Sequence, residues 1–156
     1  MEFAESLKEF SAAVGAGDGK RLGALFTEDG VYHDTFYGEF TGPGAIADML
    51  ENYFWRDAED FRWDMRHPVS DGRNGYAEWT FSYTTKMPEN KGTRVVFEGM
   101  SRFELRDGKF ARYGEVFDGG IALSQLGFVP ERMAKVLKRW ADEKRALPRA
   151  AEHLNR

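Results

Sequence analysis

Apolar side chains recur at Phe3, Leu7, Phe10 and Val14, a spacing of three to four that predicts an amphipathic helix ended by Gly15 and Gly17. Asp18 is placed to cap a second, shorter helix running to Phe26. Thr27-Glu28-Asp29-Gly30 reads as a turn, and Val31 to Asp34 as a short strand. Thr41-Gly42-Pro43 opens another helix, with Pro43 at a first-turn position and Ile46, Met49, Leu50, Tyr53 and Phe54 as its apolar stripe. Three helices therefore precede most of the strands.

From Phe61 the period changes to two. Four extended segments are predicted, Phe61 to Val69, Gly75 to Met87, Thr93 to Arg106 and Lys109 to Phe117. Ser70-Asp71-Gly72, Pro88 to Gly92 and Asp107-Gly108 supply the turns of an antiparallel meander. Trp79, Phe81 and Tyr83 share one face of the second segment, and Val95, Phe97, Gly99, Ser101, Phe103 and Leu105 share one face of the third. The opposite faces carry Glu78, Thr80, Arg94, Glu98, Arg102 and Glu104, so one side packs on helices and the other meets water or a partner. The expected fold is α+β: a cone-shaped, curved antiparallel sheet wrapped around three N-terminal helices. Val129, Met133, Val136, Leu137 and Trp140 predict an extra C-terminal helix starting at Pro130. Residues 1–127 are expected to form the cone domain, and 128–156 a helical extension packing on it.

Charge and composition narrow the partners. A net charge of −4 gives no basic face for nucleic acid. The stretch from Lys135 to Arg156 holds seven Lys or Arg against three Asp or Glu, but a solvated helix face accounts for that bias. The absence of cysteine excludes disulfides, thiol catalysis and Cys-based zinc sites. No apolar run reaches membrane-spanning length and the N-terminus is acidic, so a cytoplasmic protein without a membrane partner is expected. The unusual quantity is aromatic content, 15% from 13 Phe, 6 Tyr and 4 Trp, a surplus that suits an aromatic-lined cavity.

The element order, together with FTEDGVYHDTFYGEFTGPGAI and DGKFARYGEVFD, resembles the nuclear transport factor 2-like superfamily, and within it the SnoaL-like group, over about residues 3 to 127. The resemblance implies the cone fold and a homodimer formed through the sheet. Asp34 falls where ketosteroid isomerases of that superfamily carry their proton-shuttling aspartate. Their pattern also calls for a tyrosine on the first helix and a protonated acid on the third meander strand, where this chain has Phe10 and Ser101. Glu115 falls where members resembling limonene epoxide hydrolase carry one of two catalytic aspartates. The Arg and second Asp that accompany it there have no counterpart in Thr80 to Ser82.

Read from the residues alone, Tyr32 and Asp34 lie two apart on a strand and share a face, while His33 points away. A carboxylate among aromatic rings is desolvated, its pKa rises, and proton exchange near neutral pH becomes feasible. Tyr113, Glu115 and Phe117 share the inward parity of their strand, so Glu115 is the expected second acid or base. The alternatives are structural: Asp34 capping the turn at Thr35-Phe36-Tyr37, and Glu115 paired with Arg112 or Arg62. Tyr37, Trp55, Trp63, Trp79, Phe97, Ser101, Tyr113 and Phe117 are the expected pocket lining, and Tyr32, Tyr37 or Tyr113 could donate to a carbonyl oxygen. His33, His67 and His153 form no HExxH motif or close pair, and no glycine-rich phosphate loop follows a strand, so neither metal nor cofactor is expected. The reading is a cofactor-independent isomerase, cyclase or dehydratase acting on a small apolar carbonyl or hydroxyl compound, with Asp34 as proton shuttle and Glu115 and Tyr32 as partners. The alternative is a noncatalytic ligand-binding or dimerisation module whose cone is plugged by its own side chains.

Overall fold

The computed structural model describes residues 1–155. Helix α1, Phe3–Ala16, buries Leu7, Phe10, Ala13 and Val14 along one stripe. It runs one residue beyond the expected stop at Gly15 and ends at Gly17, whose φ of 67° is open to glycine without strain. A side chain at Gly17 would also meet the Trp55 indole at 2.9 Å. Helix α2, Gly19–Ala24, is capped as expected by Asp18, which accepts a hydrogen bond from the Arg21 backbone N–H at 3.0 Å. Its Gly23 lets the helix approach α3, Pro43–Met49, since a Cβ there would lie 2.5 Å from the Pro43 carbonyl oxygen. A π-helical turn, Leu50–Phe54, and a last turn, α4, Trp55–Asp57, continue α3. The wider turn carries Leu50 and Phe54 onto the buried stripe begun by Ile46 and Met49.

Six strands form one sheet in the order β2-β1-β6-β5-β4-β3. They are β1 Phe26–Asp34, β2 Gly38–Thr41, β3 Ala58–Ser70, β4 Asn74–Thr85, β5 Arg94–Arg106 and β6 Lys109–Phe117. The four long strands match the period-two segments to within three residues at each end. Two features differ from the sequence expectation. Thr27 to Gly30 is strand rather than turn, so β1 is nine residues long, with a register shift against β6 between Phe26 and Val31. The short strand β2 pairs antiparallel with β1 through Val31–Thr41 and Asp34–Gly38. The meander β3 to β6 is antiparallel, but β1 joins β6 in parallel, setting Tyr32 beside Tyr113. α1 packs on β3. Around Phe10 the rings of Tyr32, Trp63, Phe103, Phe110 and Tyr113 lie within 6.2 Å, which makes this phenylalanine the hub of the core.

Residues Met1–Asp118 form one compact unit, and Gly119–Arg156 a second. The second holds α5, Gly119–Gln125, which the glycine pair had concealed, and the expected helix α6, Pro130–Arg145. Gly119 receives the Trp140 ring, and a Cβ there would clash at 2.2 Å. A short α7, Ala151–Leu154, follows.

Candidate functional site

Asp34 is the last residue of β1 and is buried, with 4% of its surface exposed. Its Oδ2 accepts hydrogen bonds from the backbone N–H groups of Phe36 and Tyr37, both at 2.9 Å. Asp34 therefore does cap the following turn, and it does so inside the protein. The cap engages one oxygen, and Oδ1 has no hydrogen-bond partner among the described residues. Glu115 approaches from β6, opposite Ser101 of β5. Its Oε1 accepts from the Thr35 N–H at 3.2 Å and the Thr35 hydroxyl at 3.4 Å, and its Oε2 accepts from the Tyr113 hydroxyl at 2.9 Å. The arginines proposed as its structural partners are engaged elsewhere: Arg112 with Glu39 at 2.9 Å and Arg62 with Asp64 at 3.0 Å.

Behind Glu115 runs a buried chain of hydrogen bonds. The Trp79 indole N–H donates to Ser101 Oγ at 2.8 Å, and the Ser101 hydroxyl donates to Tyr113 at 2.9 Å. An indole nitrogen can only donate, so the chain points from Trp79 toward Glu115. β4, β5 and β6 contribute one side chain each at positions facing the same side, and Thr35 completes the chain from the turn after β1. Tyr32 lies beside it, its ring 4.4 Å from that of Tyr113. The Tyr32 hydroxyl is fully buried and meets no partner in hydrogen-bond geometry among the described residues, although the Tyr113 hydroxyl lies near enough to favour its charge, and the Trp63 indole N–H likewise meets none.

These environments set the electrostatics. Burial pushes the Asp34 carboxyl up to about 6, against the pull of the two backbone N–H groups that favour its charge. Burial pushes Glu115 further, to about 8, and the Asp34 charge adds to the effect, while its hydrogen bonds from Tyr113 and Thr35 oppose it. The Tyr32 and Tyr113 hydroxyls are held well above their ordinary range by burial and then by the Glu115 charge. Two carboxyls so placed titrate as a coupled pair above the usual carboxylate range, and with one proton between them the pair offers one base and one acid.

A continuous series of rings runs round this end of the sheet. From Phe36 it passes to Phe117, Phe97, Tyr83, Phe61, Phe54 and Tyr37, each centroid 4.7 to 6.3 Å from the next. The two ends are the residues whose N–H groups bind Asp34, so its carboxylate closes the circuit. Tyr83, which the sequence reading left outside the site, is held above its usual range by burial and then by the charges of Asp34 and Asp57. The parity that put Trp79 and Phe81 on the inner face carried the signal for it. Tyr37 is committed: its hydroxyl donates to Asp57 at 2.6 Å. Of the remaining lining candidates, Trp63 packs 4.7 Å from Phe81, and Trp79 lies 5.9 Å from Phe117. Trp55 is turned toward the end of α1, where its indole donates to the Val14 carbonyl at 3.2 Å. No group of three or more His, Asp or Glu among the described residues is placed to hold a metal ion.

Comparison with known proteins follows the architecture. A protein of ketosteroid isomerase-like fold from Catenulispora acidiphila, solved in complex with trimethylamine, superposes with a TM-score of 0.71 at 20% identity, covering 80% of this chain and 94% of its own. A putative polyketide cyclase from Xanthomonas campestris pv. campestris gives 0.65 at 20% identity over 79% and 95% of the two chains. An epoxide hydrolase of M. tuberculosis, resembling limonene epoxide hydrolase, gives 0.65 at 18% identity over 86% and 94%. At these identities the likeness is one of fold. No curated protein sequence matches the chain. The SnoaL-like domain model matches residues 7–113, from the middle of α1 to the tyrosine that binds Glu115, and by that match this chain belongs to the SnoaL-like domain family.

Proposed function

We propose that this protein is a cofactor-independent isomerase, cyclase or dehydratase that takes a small, largely apolar carbonyl or hydroxyl compound and moves a proton on it. The observation that carries the reading is the pair of carboxyls, Asp34 and Glu115, buried together without a Lys or Arg partner among the described residues and raised to about 6 and about 8. A purely structural buried acid is ordinarily paired with a cation, which lowers its pKa. Here the donors to each carboxyl among the described residues are all neutral, which leaves its proton exchangeable near neutral pH. Asp34, through Oδ1, removes a proton next to the carbonyl or hydroxyl carbon. Glu115 holds the complementary proton, Tyr32 lies beside both carboxylates, and the aromatic series excludes water from the exchange.

The test is hydrogen–deuterium exchange at the carbon next to the carbonyl, followed by NMR for a panel of small apolar ketones and hydroxyketones in D₂O. The protein is expected to catalyse exchange for at least one of them, and Asp34→Asn to lower that rate by about 10²- to 10⁴-fold while a thermal melt shows a folded protein. An unchanged rate in the variant removes Asp34 from the chemistry.

A second reading, a noncatalytic binding or dimerisation module, is favoured by the outer face of the sheet. Val96, Met100 and Val116 are 46%, 56% and 77% exposed there, and Met100 and Val116 are neighbours across β5 and β6. A second copy of the chain would cover them. A monomer at high micromolar concentration by sedimentation would argue against that use of the face.

A further inference from the structure

The hydrogen-bond chain contains one member too many. Trp79, Ser101, Tyr113 and Glu115 form a directed series, yet Tyr32, packed against Tyr113 and close enough to feel its hydroxyl, has a buried hydroxyl with no partner in hydrogen-bond geometry among the described residues. A buried hydroxyl left unpaired costs stability, and a phenylalanine would fill the same space without that cost. What the hydroxyl offers is a lone pair beside Tyr113. The two tyrosines are paired directly across β1 and β6, with their rings inclined by 31°.

We infer that Tyr32 is a positioning residue that accepts the Tyr113 hydroxyl proton as a hydrogen bond whenever Glu115 carries a proton, so that β1 and β6 together hold Glu115 in two alternative hydrogen-bonded states. With Glu115 ionised, Tyr113 receives from Ser101 and donates to Oε2. Oε1 is engaged by two Thr35 donors and Oε2 by Tyr113 alone, so the proton Glu115 gains falls on Oε2, and that O–H donates to the Tyr113 oxygen. The Tyr113 hydroxyl can then no longer point at Oε2. Ser101 can receive it only by giving up its own donation to Tyr113, since a single hydrogen lies between the two oxygens, and the displaced serine proton would then need a new acceptor. Tyr32 is the remaining oxygen beside it. The hydroxyl swings across by rotation about its C–O bond, and no tyrosine O–H bond breaks. The only covalent change is the proton gained by Glu115.

The groups that face Glu115 are consistent with this role. Asp34 and Thr35 lie on the β1 side, Ser101 on β5 and Tyr113 on its own strand, and Asp34 is the charged group that raises it. Tyr32 stays neutral throughout, since burial and both carboxylates oppose its ionisation. Its oxygen is therefore an acceptor in either state.

The inference rests on the proposed function only in taking Glu115 as a proton-bearing group, and its test needs no substrate. The Glu115 side-chain carboxyl is titrated by ¹³C NMR from acid to alkaline pH in wild type, Tyr32→Phe and Ser101→Ala. In Tyr32→Phe the protonated state loses its outlet, so the midpoint is expected to fall by about one pKa unit. In Ser101→Ala the Tyr113 oxygen loses its donor, becomes a better acceptor for the Glu115 proton and a poorer donor to the carboxylate, and the midpoint is expected to rise. Tyr32→Phe with an unshifted midpoint, whatever its effect on melting temperature, overturns the inference. If Tyr32→Phe does not fold, a Ser101→Ala midpoint that stays put or falls overturns it equally. A shifted midpoint in a protein that exchanges no substrate proton would keep the relay and remove the catalytic reading; exchange with an unshifted midpoint would do the reverse.

Discussion

The two faces of the same sheet treat their acids in opposite ways. On the outer face Arg66 reaches Glu78 at 3.6 Å and Glu98 at 3.3 Å, and Arg102 reaches Glu104 at 3.2 Å. On the inner face Asp34 and Glu115 meet, among the described residues, only hydroxyls and backbone N–H groups, from Thr35, Phe36, Tyr37 and Tyr113. Asp57 marks the boundary between the two regimes. It takes the Tyr37 hydroxyl from the inner side and the Arg56 guanidinium at 2.8 Å, and Arg56 holds its carboxyl below the usual range. Proton mobility on the inner face comes from withholding a cation. A charged partner settles the proton on one side, whereas neutral donors leave it movable.

Breaking the inner face should cost most. Phe10→Ala removes the ring on which five others converge, and a loss of about 3 to 5 kcal/mol is expected in urea unfolding. A loss under about 1 kcal/mol would mean that the interior is loosely packed.

The next effect is on pH dependence. Both inner acids have folded-state pKa values, about 6 and about 8, above their ordinary 3.8 and 4.5. Between those limits the folded state binds more protons than the unfolded state, so stability is greatest below about pH 4 to 5 as far as these groups are concerned, and it is lost as pH rises through 6 and then 8. Glu115→Gln removes the later part of that loss. It is expected to stabilise the protein at pH 9 by about 1 to 3 kcal/mol relative to wild type, and to flatten the decline above pH 7 in melting curves. Glu98→Gln, on the outer face, should leave the decline as it is. Equal effects from the two substitutions would erase the distinction between the faces.

Smallest is the outer network itself. Arg66 is 39% and Glu98 71% exposed at the side chain, so Arg66→Ala should cost no more than about 1 kcal/mol at low salt, and less when salt is raised. A larger loss would give the outer charges a structural weight that their exposure does not predict.

Much of this contrast is legible in the sequence. Period-two alternation put Trp79, Phe81, Ser101, Tyr113 and Glu115 on one side and Glu78, Glu98 and Arg102 on the other, because a strand turns alternate side chains to opposite faces. The same rule paired Tyr32 with Asp34. Less legible were the pieces whose shape depends on a partner. Thr27 to Gly30 has turn chemistry, yet it is drawn into β1, where Phe26 pairs with Phe110 of β6. At four residues, β2 is too short to show a period, and its pairing with β1 defines it.

The sequence by itself determined which residues of the long strands face inward, where α1, α2, α3 and α6 begin, and that two acids would lie among aromatic rings, since each follows from local periodicity and turn chemistry; the end of α2 at Ala24 rather than Phe26, and α5, were not legible. Only the tertiary structure decided that β1 runs parallel to β6, that Tyr32 therefore lies against Tyr113, and that Glu115 sits at the end of a chain begun at Trp79. It also decided between the roles open to Arg112, which pairs with Glu39 and leaves Glu115 to neutral donors. Those outcomes depend on register between strands far apart in the chain. A shift of one residue reverses every face, and local sequence does not encode register across such a distance.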